Sequence, residues 1–192
     1  MLIGIVGFNG AGKDTAAKYL VTTYGFSHVD IGDEIRFELK KGGKNYLDRS
    51  EMLLLANEYR ERFGNDYWAR RALSNYSSSK NLVVTSLRNP SEVDLIKSNG
   101  GVIIEIFADI KTRYFRTVER VRRDPGSHGD VSSFKDFKMK EDVELKSNNS
   151  SGPQGLRCVE MADYRVDNNG SEGELFFRLG ELIKRIKNKG GL

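Results

Sequence analysis

The sequence GFNGAGK at positions 7–13 follows an apolar run at 2–6 and precedes a stretch with helical spacing of apolar residues. In a G-x-x-x-x-G-K loop, glycines let successive backbone N–H groups turn inward around phosphates, and the following helix N-terminus adds positive potential. The lysine supplies a positive charge for the β- and γ-phosphate oxygens. This strand–loop–helix context predicts a P-loop that binds a nucleoside triphosphate.

The predicted donor-phosphate site covers the loop and the first helical turn. It comprises Gly7, Asn9, Gly10, Ala11, Gly12, Lys13, Asp14 and Thr15, with Lys13 also predicted to be catalytic. The residue after the lysine is Asp14, where Ser or Thr usually holds magnesium. Three interpretations stay open: Asp14 takes the metal directly or through water, Thr15 takes it after a small shift, or Asp14 only favours the helix N-terminus.

Composition and length limit the class of protein. The 192 residues are 38% hydrophobic and 30% charged, which predicts one domain over 1–192. No apolar run approaches the roughly 20 residues that span a bilayer, and the N-terminus lacks the features of a secretion signal. One cysteine excludes an internal disulfide, and with two histidines it gives no zinc cluster. We expect a cytoplasmic protein with no membrane partner.

The net charge of +4 allows two kinds of anionic partner, nucleic acid or a small substrate. Arginines cluster between 113 and 123, but the chain has neither a sustained basic tail nor a repeating aromatic–basic pattern. The distribution favours a small phosphorylated substrate over nucleic acid. The oligomeric state cannot be read from the sequence.

Strand-like runs alternate with helical patterns along the chain. The strands are predicted at 2–6, 26–31, 82–85, 102–107 and 164–167, and the helices between and after them end at glycine-containing breaks. Alternation of this kind predicts an α/β fold with a parallel sheet. Residues 33–80 are predicted to form a helical lobe that binds the acceptor. The polar region 122–155, with a short helix at 133–146, is the candidate for a lid.

Two turns after predicted strands carry charged residues suited to a second phosphate. Arg36 can hold a monophosphate bidentately, and Asp33, one turn earlier, can hold magnesium through its waters. Arg88 follows the strand at 82–85, so it lies at the carboxyl edge of the sheet, where ligands collect in this fold class. Each arginine alone also fits a surface ion pair, but together they favour a kinase.

Further arginines and an aromatic residue complete the predicted site. Arg116, Arg120 and Arg122 lie close to the lid, so one or two of them are expected to reach the transferring phosphoryl group and another to stack on the donor base. A solvated basic helix face is the alternative. Arg60 and Trp68 are candidates for contacts with the acceptor base, although an aromatic residue at helical spacing also fits the core.

These motifs resemble known kinase families. Gly32-Asp33-x-x-Arg36 resembles the acceptor-phosphate element of adenylate kinase and other nucleoside monophosphate kinases. Gly12-Lys13-Asp14-Thr15 and the segments 60–69 and 86–93 are similar to bacteriophage-type deoxynucleoside monophosphate kinases. An archaeal-type family of P-loop kinases related to dephospho-coenzyme A kinase matches evenly along the chain as far as residue 168. These resemblances imply a three-layer P-loop NTPase fold with a five-stranded parallel sheet, a helical acceptor-binding lobe and a lid.

The resemblance has one notable departure. Many of these relatives carry Asp-Gly where this chain has Thr85-Ser86, so Asp33 or Asp14 would carry more of the ordering of magnesium water. The leading hypothesis is transfer of a phosphoryl group from ATP, with Mg²⁺, to a nucleoside or deoxynucleoside monophosphate. The alternatives are a dephospho-coenzyme A kinase or other small-molecule kinase, and a non-catalytic P-loop protein that binds nucleotide or associates with nucleic acid. The acceptor base and sugar, and ATP against GTP as donor, stay open.

Overall fold

One parallel sheet lies at the centre of the structure, a computed structural model that describes residues 1–74, 80–124, 133–145 and 150–189. Its strands are β1 (Leu2–Val6), β2 (Ser27–Asp30), β3 (Leu82–Thr85), β4 (Val102–Phe107) and β5 (Tyr164–Asp167). They are arranged in the order β2-β3-β1-β4-β5, and every pair is parallel. The predicted five-stranded parallel sheet is therefore confirmed, and β1, which leads into the glycine-rich loop, is its middle strand.

Helices connect the strands and cover both faces of the sheet. They are α1 (Lys13–Tyr24), α2 (Ile31–Lys41), α3 (Arg49–Phe63), α4 (Tyr67–Leu73), α5 (Pro90–Ser98), α6 (Ile110–Arg123), α7 (Phe134–Leu145), α8 (Gly155–Glu160) and α9 (Glu172–Lys189). The helix α8 is an element that the sequence did not predict. It is only six residues long, and its buried Cys158 and Val159 are too few to form a readable helical period.

Two separate apolar layers give the fold its three-layer construction. Successive strand residues point to opposite faces, so Ile3 and Ile5 pack against α1 and α9, whereas Leu2 and Val6 face the other layer. That second layer contains apolar residues of α2, α3, α4, α5 and α8. The predicted three-layer α/β fold is confirmed. Within the described residues, no helix combines the length and apolarity needed to cross a membrane.

Part of the predicted lid and lobe lies outside the described residues. In the region 122–155, residues 125–132 and 146–149 are not described, and in the helical region 33–80 the same holds for 75–79. The described part of the region 122–155 contains α7, which packs on α6. The Tyr114 ring lies 5.3 Å from that of Phe134 and 5.8 Å from that of Phe137, measured between centroids.

Candidate active site

The glycine-rich loop has positive φ angles at Gly7, Gly10 and Gly12, a conformation that favours glycine. Gly10 has φ +78° and Gly12 has φ +97°, both in the left-handed region. A Cβ at Gly10 would lie 2.5 Å from the backbone oxygen of Arg113, and one at Gly12 would lie 2.4 Å from Nδ2 of Asn168. Both strain and space therefore require the glycines that the sequence motif supplies.

The side chain of Asn168 holds the glycine-rich loop in place. This buried side chain, just after β5, donates from Nδ2 to the backbone oxygen of Ala11 at 2.8 Å. Its own backbone N–H donates to the oxygen of Phe107 at 2.7 Å, which ties the same residue to the end of β4. The motif alone did not point to this contact, because Asn168 is 157 positions from its partner.

Lys13 is the first residue of α1, and its ammonium group lies over the loop. Nζ donates to the backbone oxygen of Phe8 at 3.1 Å. Burial of the ammonium group, and next the nearby charge of Arg88, lower the pKa of Lys13 to about 8, although Asp14 and Asp30 act in the opposite direction. Desolvation and the nearby arginines therefore disfavour the charged ammonium group, and phosphate oxygens at the site would favour it.

The lowered pKa of Lys13 predicts that nucleotide binding takes up protons to an extent that depends on pH. Because the folded chain loses this proton near pH 8 and the unfolded chain near 10.5, the free energy of unfolding rises with pH between those values. Phosphates favour the charged form, so nucleotide affinity falls above pH 8. We expect binding at pH 8 to take up about half a proton. Calorimetry in two buffers of different ionisation enthalpy measures this uptake, and equal heats in both buffers would contradict it.

A cavity of about 490 Å³, including its open mouth, lies between the loop and the turn that follows β3. Its lining residues are Val6, Gly7, Phe8, Asn9, Lys13, Ser86, Leu87, Arg88, Glu141, Pro153, Gly155 and Cys158. The structure therefore brings Lys13 and Arg88 to the wall of one cavity. Burial raises the pKa of the Cys158 thiol to about 12, which keeps it protonated.

The turn that carries Arg88 is tightly held at its backbone. Arg88 donates its N–H to Oε2 of Glu92 at 2.7 Å, and its carbonyl accepts from the N–H of Gln154 at 2.7 Å. Asn89 caps α5, with its side chain accepting from Ser91 N–H at 3.1 Å. The guanidinium of Arg88 is thus presented to the cavity from a constrained turn.

Arg113 is a site residue that sequence reasoning did not single out from its cluster. It is buried on α6, where Nε donates to the Ala108 oxygen at 2.9 Å and Nη1 to the Asn9 oxygen of the loop at 3.3 Å. It also forms a bidentate ion pair with Glu141 of α7, with Nη2 to Oε1 at 2.9 Å. Arg113 therefore joins the loop, α6 and α7, and it places a carboxylate on the cavity wall.

The three arginines predicted to reach the phosphoryl group do not line the cavity in this structure. Arg116 donates from Nη2 to the Gly170 oxygen at 3.2 Å, and its buried Nη1 has no hydrogen-bond partner among the described residues. Arg120 is exposed, and Arg122 is 72% exposed and pairs with Glu119. Their predicted roles stay predictions.

The residues predicted to hold metal differ in their exposure and in their partners. Asp33 is 73% exposed and pairs with Arg36 at 2.5 Å. Asp14 is exposed, and Thr15 lines a separate groove between α1 and α9. Asp30, the last residue of β2, was missed, although its charge acts on Lys13. The carboxyl-edge rule could have found it, because Asp30 ends a strand next to β3.

The predicted contacts of Arg60 and Trp68 with the acceptor base are wrong for this structure, because neither side chain is accessible to a substrate. Trp68 is fully buried (0% exposed), and Nε1 donates to the Ala56 oxygen at 3.2 Å. Arg60 is 3% exposed and pairs with the buried Glu92. The aromatic pattern thus belongs to the core, the alternative that the spacing had also allowed.

Replacing Trp68 by phenylalanine tests whether the indole belongs to the core and not to the acceptor site. The ring loses its N–H donor inside the core, so we expect the free energy of unfolding to fall by about 1–2 kcal/mol. We expect the KM of any acceptor to stay unchanged, because the indole lines no cavity that the acceptor enters. Denaturant unfolding and steady-state kinetics measure the two effects; an altered acceptor KM at unchanged stability would restore the substrate role.

With this geometry in view, comparison with known sequences gives the family. A family model described as an AAA domain matches residues 6–130, more than half of the chain. The UPF0200 protein MMP1282 of Methanococcus maripaludis is 31% identical over 192 residues, which cover 97% of this chain and 98% of the relative. The chain is an AAA-domain protein of the UPF0200 family. The UPF0200 protein TV0279 of Thermoplasma volcanium is also similar, at 29% identity over 95% of this chain and 96% of the relative.

The fold of this UPF0200 protein is similar to that of shikimate kinases of known structure. A shikimate kinase from Acinetobacter baumannii superposes with a TM-score of 0.59 at 17% identity, covering 100% of this chain and 95% of that one. At such low identity the similarity concerns the fold. It agrees with the three-layer α/β architecture that the resemblance implied.

Proposed function

We propose that this UPF0200 protein transfers a phosphoryl group from ATP to a small phosphorylated acceptor, a nucleoside or deoxynucleoside monophosphate. The observation that carries the proposal is the shared cavity of Lys13 and Arg88. Lys13 belongs to the P-loop and Arg88 to the turn after β3, and they are close enough for Arg88 to lower the pKa of Lys13. Two cations from separate elements suit two phosphate groups that meet between them.

The donor side follows from the loop. Backbone N–H groups from Asn9 to Thr15 would bind the triphosphate, with Lys13 on its β- and γ-oxygens. Magnesium usually keeps several waters and takes one or two carboxylates besides phosphate, so the separated acids Asp14, Asp30 and Asp33 fit it better than a dense cluster would. The ion would neutralise charge on the transferring group.

The acceptor side follows from the two arginines. In this proposal Arg88 and Arg36 hold the acceptor monophosphate, and Asp33 orients Arg36 through their 2.5 Å ion pair. A monophosphate oxygen is already anionic, so its attack on the γ-phosphorus requires no strong base. Positioning and charge stabilisation then supply the catalysis.

Closure would complete the site. The region 122–155 is proposed as the lid and the helical region 33–80 as the acceptor-binding lobe, with Arg116, Arg120 and Arg122 near the end of the helix α6 that leads into the lid. Arg116, whose buried Nη1 lacks a partner among the described residues, is the strongest of the three candidates for contact with the donor nucleotide. A cytoplasmic location, where ATP and nucleoside monophosphates occur, is part of the same proposal.

Dephospho-coenzyme A and shikimate are two alternatives to a nucleoside monophosphate as the acceptor. Dephospho-coenzyme A carries phosphate groups that Arg36 and Arg88 could also bind. Shikimate, the ligand of a solved structure of similar fold, carries a carboxylate and hydroxyl groups instead. A hydroxyl nucleophile benefits from a general base, whereas the described cavity lining offers Glu141, which is already paired with Arg113.

The test is ADP release from ATP and Mg²⁺ against a panel of acceptors. The panel contains all common nucleoside and deoxynucleoside monophosphates, dephospho-coenzyme A, shikimate, and a control without acceptor. We expect stimulation by one or a few monophosphates. Stimulation by dephospho-coenzyme A or shikimate alone would replace the acceptor class, and ATP binding without any stimulation would refute the kinase proposal.

A further inference from the structure

A buried ion pair connects the turn of Arg88 with helix α3. Glu92 of α5 is 0% exposed and Arg60 of α3 is 3% exposed. Arg60 donates from Nε and Nη2 to Oε1 of Glu92 at 3.1 and 2.8 Å. The other oxygen, Oε2, accepts the backbone N–H groups of Arg88 at 2.7 Å and Asn89 at 3.0 Å. One carboxylate therefore holds α3 on one side and the Arg88 turn on the other.

The arrangement makes the carboxylate of Glu92 depend on Arg60. A buried charge is stable only when it is paired and its hydrogen-bonding capacity is used. Both oxygens of Glu92 are engaged, so Arg60 fixes the orientation that Oε2 needs to receive two backbone donors. Without Arg60, the carboxylate is driven to take up a proton or to admit water, and either change loosens the backbone at Arg88 and Asn89.

The other hydrogen bonds of the Arg88 turn come from a different segment of the chain. The Arg88 oxygen accepts from Gln154 N–H at 2.7 Å, and Asn89 Nδ2 donates to the Ser150 oxygen at 2.8 Å. Both partners belong to the segment before α8. The contact with Arg60 comes instead from the helices α2–α4, which also carry Arg36.

We propose that Arg60 is a positioning residue: through the carboxylate of Glu92 it fixes the Arg88 turn, so that the guanidinium of Arg88 faces the cavity beside Lys13. This inference rests on the proposed function for the reaction that it serves. It gives a role to a buried arginine that the sequence had assigned to substrate contact. A displacement of about 1 Å at a catalytic group can cost about 100-fold in rate.

The test compares Arg60→Met with a control that leaves a similar buried carboxylate unpaired. Arg165 of β5 pairs with Glu105 of β4 at 2.5 Å, and the Glu105 side chain is 4% exposed. Arg165→Met therefore removes the partner of a buried carboxylate without touching the Arg88 turn, although Arg165 itself is 60% exposed. For both variants we would measure kcat and KM for the acceptor, the Kd of ATP, thermal stability, and hydrogen exchange at the amides of Arg88 and Asn89.

In Arg60→Met we expect kcat/KM for the acceptor to fall by about 100-fold, with the Kd of ATP unchanged and faster exchange at the two amides. In Arg165→Met we expect lower stability with neither effect. Equal kinetic losses in the two variants, or unchanged amide exchange in Arg60→Met, would overturn the proposal. If Arg60→Met does not fold, Arg60→Lys, which keeps the charge but offers one donor nitrogen in place of two, should show the same effects at smaller size.

The exchange measurement also separates this inference from the proposed function. If the unmodified protein transfers phosphate to none of the acceptors, the kinase proposal fails. Exchange at Arg88 and Asn89 still decides whether Arg60 holds their turn, because it requires no substrate.

Discussion

Lys13→Ala is expected to lower kcat for phosphoryl transfer by at least about 10³-fold while leaving the fold intact. The ammonium group is positioned over the loop by its bond to the Phe8 oxygen, where it can stabilise charge that develops on the transferring group. Truncation also removes a partly desolvated charge, which is not required for packing. Stability is therefore expected to stay the same or to rise slightly.

The matched control for this prediction is Lys18→Ala. Lys18 is exposed on the same helix, five positions later, so this variant removes an equal charge from α1 without changing the loop. Rapid-quench or coupled-assay kinetics with ATP and the best acceptor measure the loss, and thermal unfolding checks the fold. A decrease of less than tenfold in Lys13→Ala would show that Lys13 does not act on the transferring phosphoryl group.

Arg88→Ala is the second variant with a large expected effect. We expect the acceptor KM to rise and kcat to fall, with a combined loss in kcat/KM of about 10²–10³-fold. The side chain shares the cavity with Lys13, so it would contact the acceptor phosphate before and during transfer. Because Arg88 lowers the pKa of Lys13, its removal should also raise that pKa, which shifts the proton uptake on nucleotide binding to higher pH.

Two comparisons make the Arg88 result specific. Arg185→Ala removes one exposed arginine from α9 and should change neither constant. Arg88→Lys keeps the charge but loses the bidentate geometry, so it should recover part of the acceptor binding. Wild-type kinetics in Arg88→Ala would refute the acceptor site, whereas a change in the ATP Kd alone would move Arg88 to the donor side.

The sequence predicted the sheet and the P-loop well because both depend on local patterns. Buried parallel strands appear as short apolar runs, and a phosphate loop needs its glycines at fixed spacing. The convergence of Lys13 and Arg88 was also predictable, since parallel strands bring their carboxyl ends to one edge. Helix α8 was not, because its six residues carry too little periodicity.

The roles of individual arginines were less predictable, because they depend on distant partners. Arg60 meets Glu92 across 32 positions, and Arg113 meets Glu141 across 28, so neither pair follows from local spacing. Arg113 and Arg116 belong to the same helix, but only Arg113 points to the loop. Periodicity defines the faces of a helix without identifying what each face contacts. That identification required the tertiary structure.

Ser86, on the cavity wall, has a positive φ of 63°, and it is the one residue other than glycine with such a backbone among those described. In the families that this chain resembles, glycine commonly occupies the position. A side chain in the left-handed region costs about 1–2 kcal/mol, so the turn keeps a shape that its present residue disfavours. Ser86→Gly should therefore make the protein more heat-resistant. The chain therefore has lower thermal stability than a glycine here would give it, and it has a hydroxyl-bearing residue on the cavity wall instead.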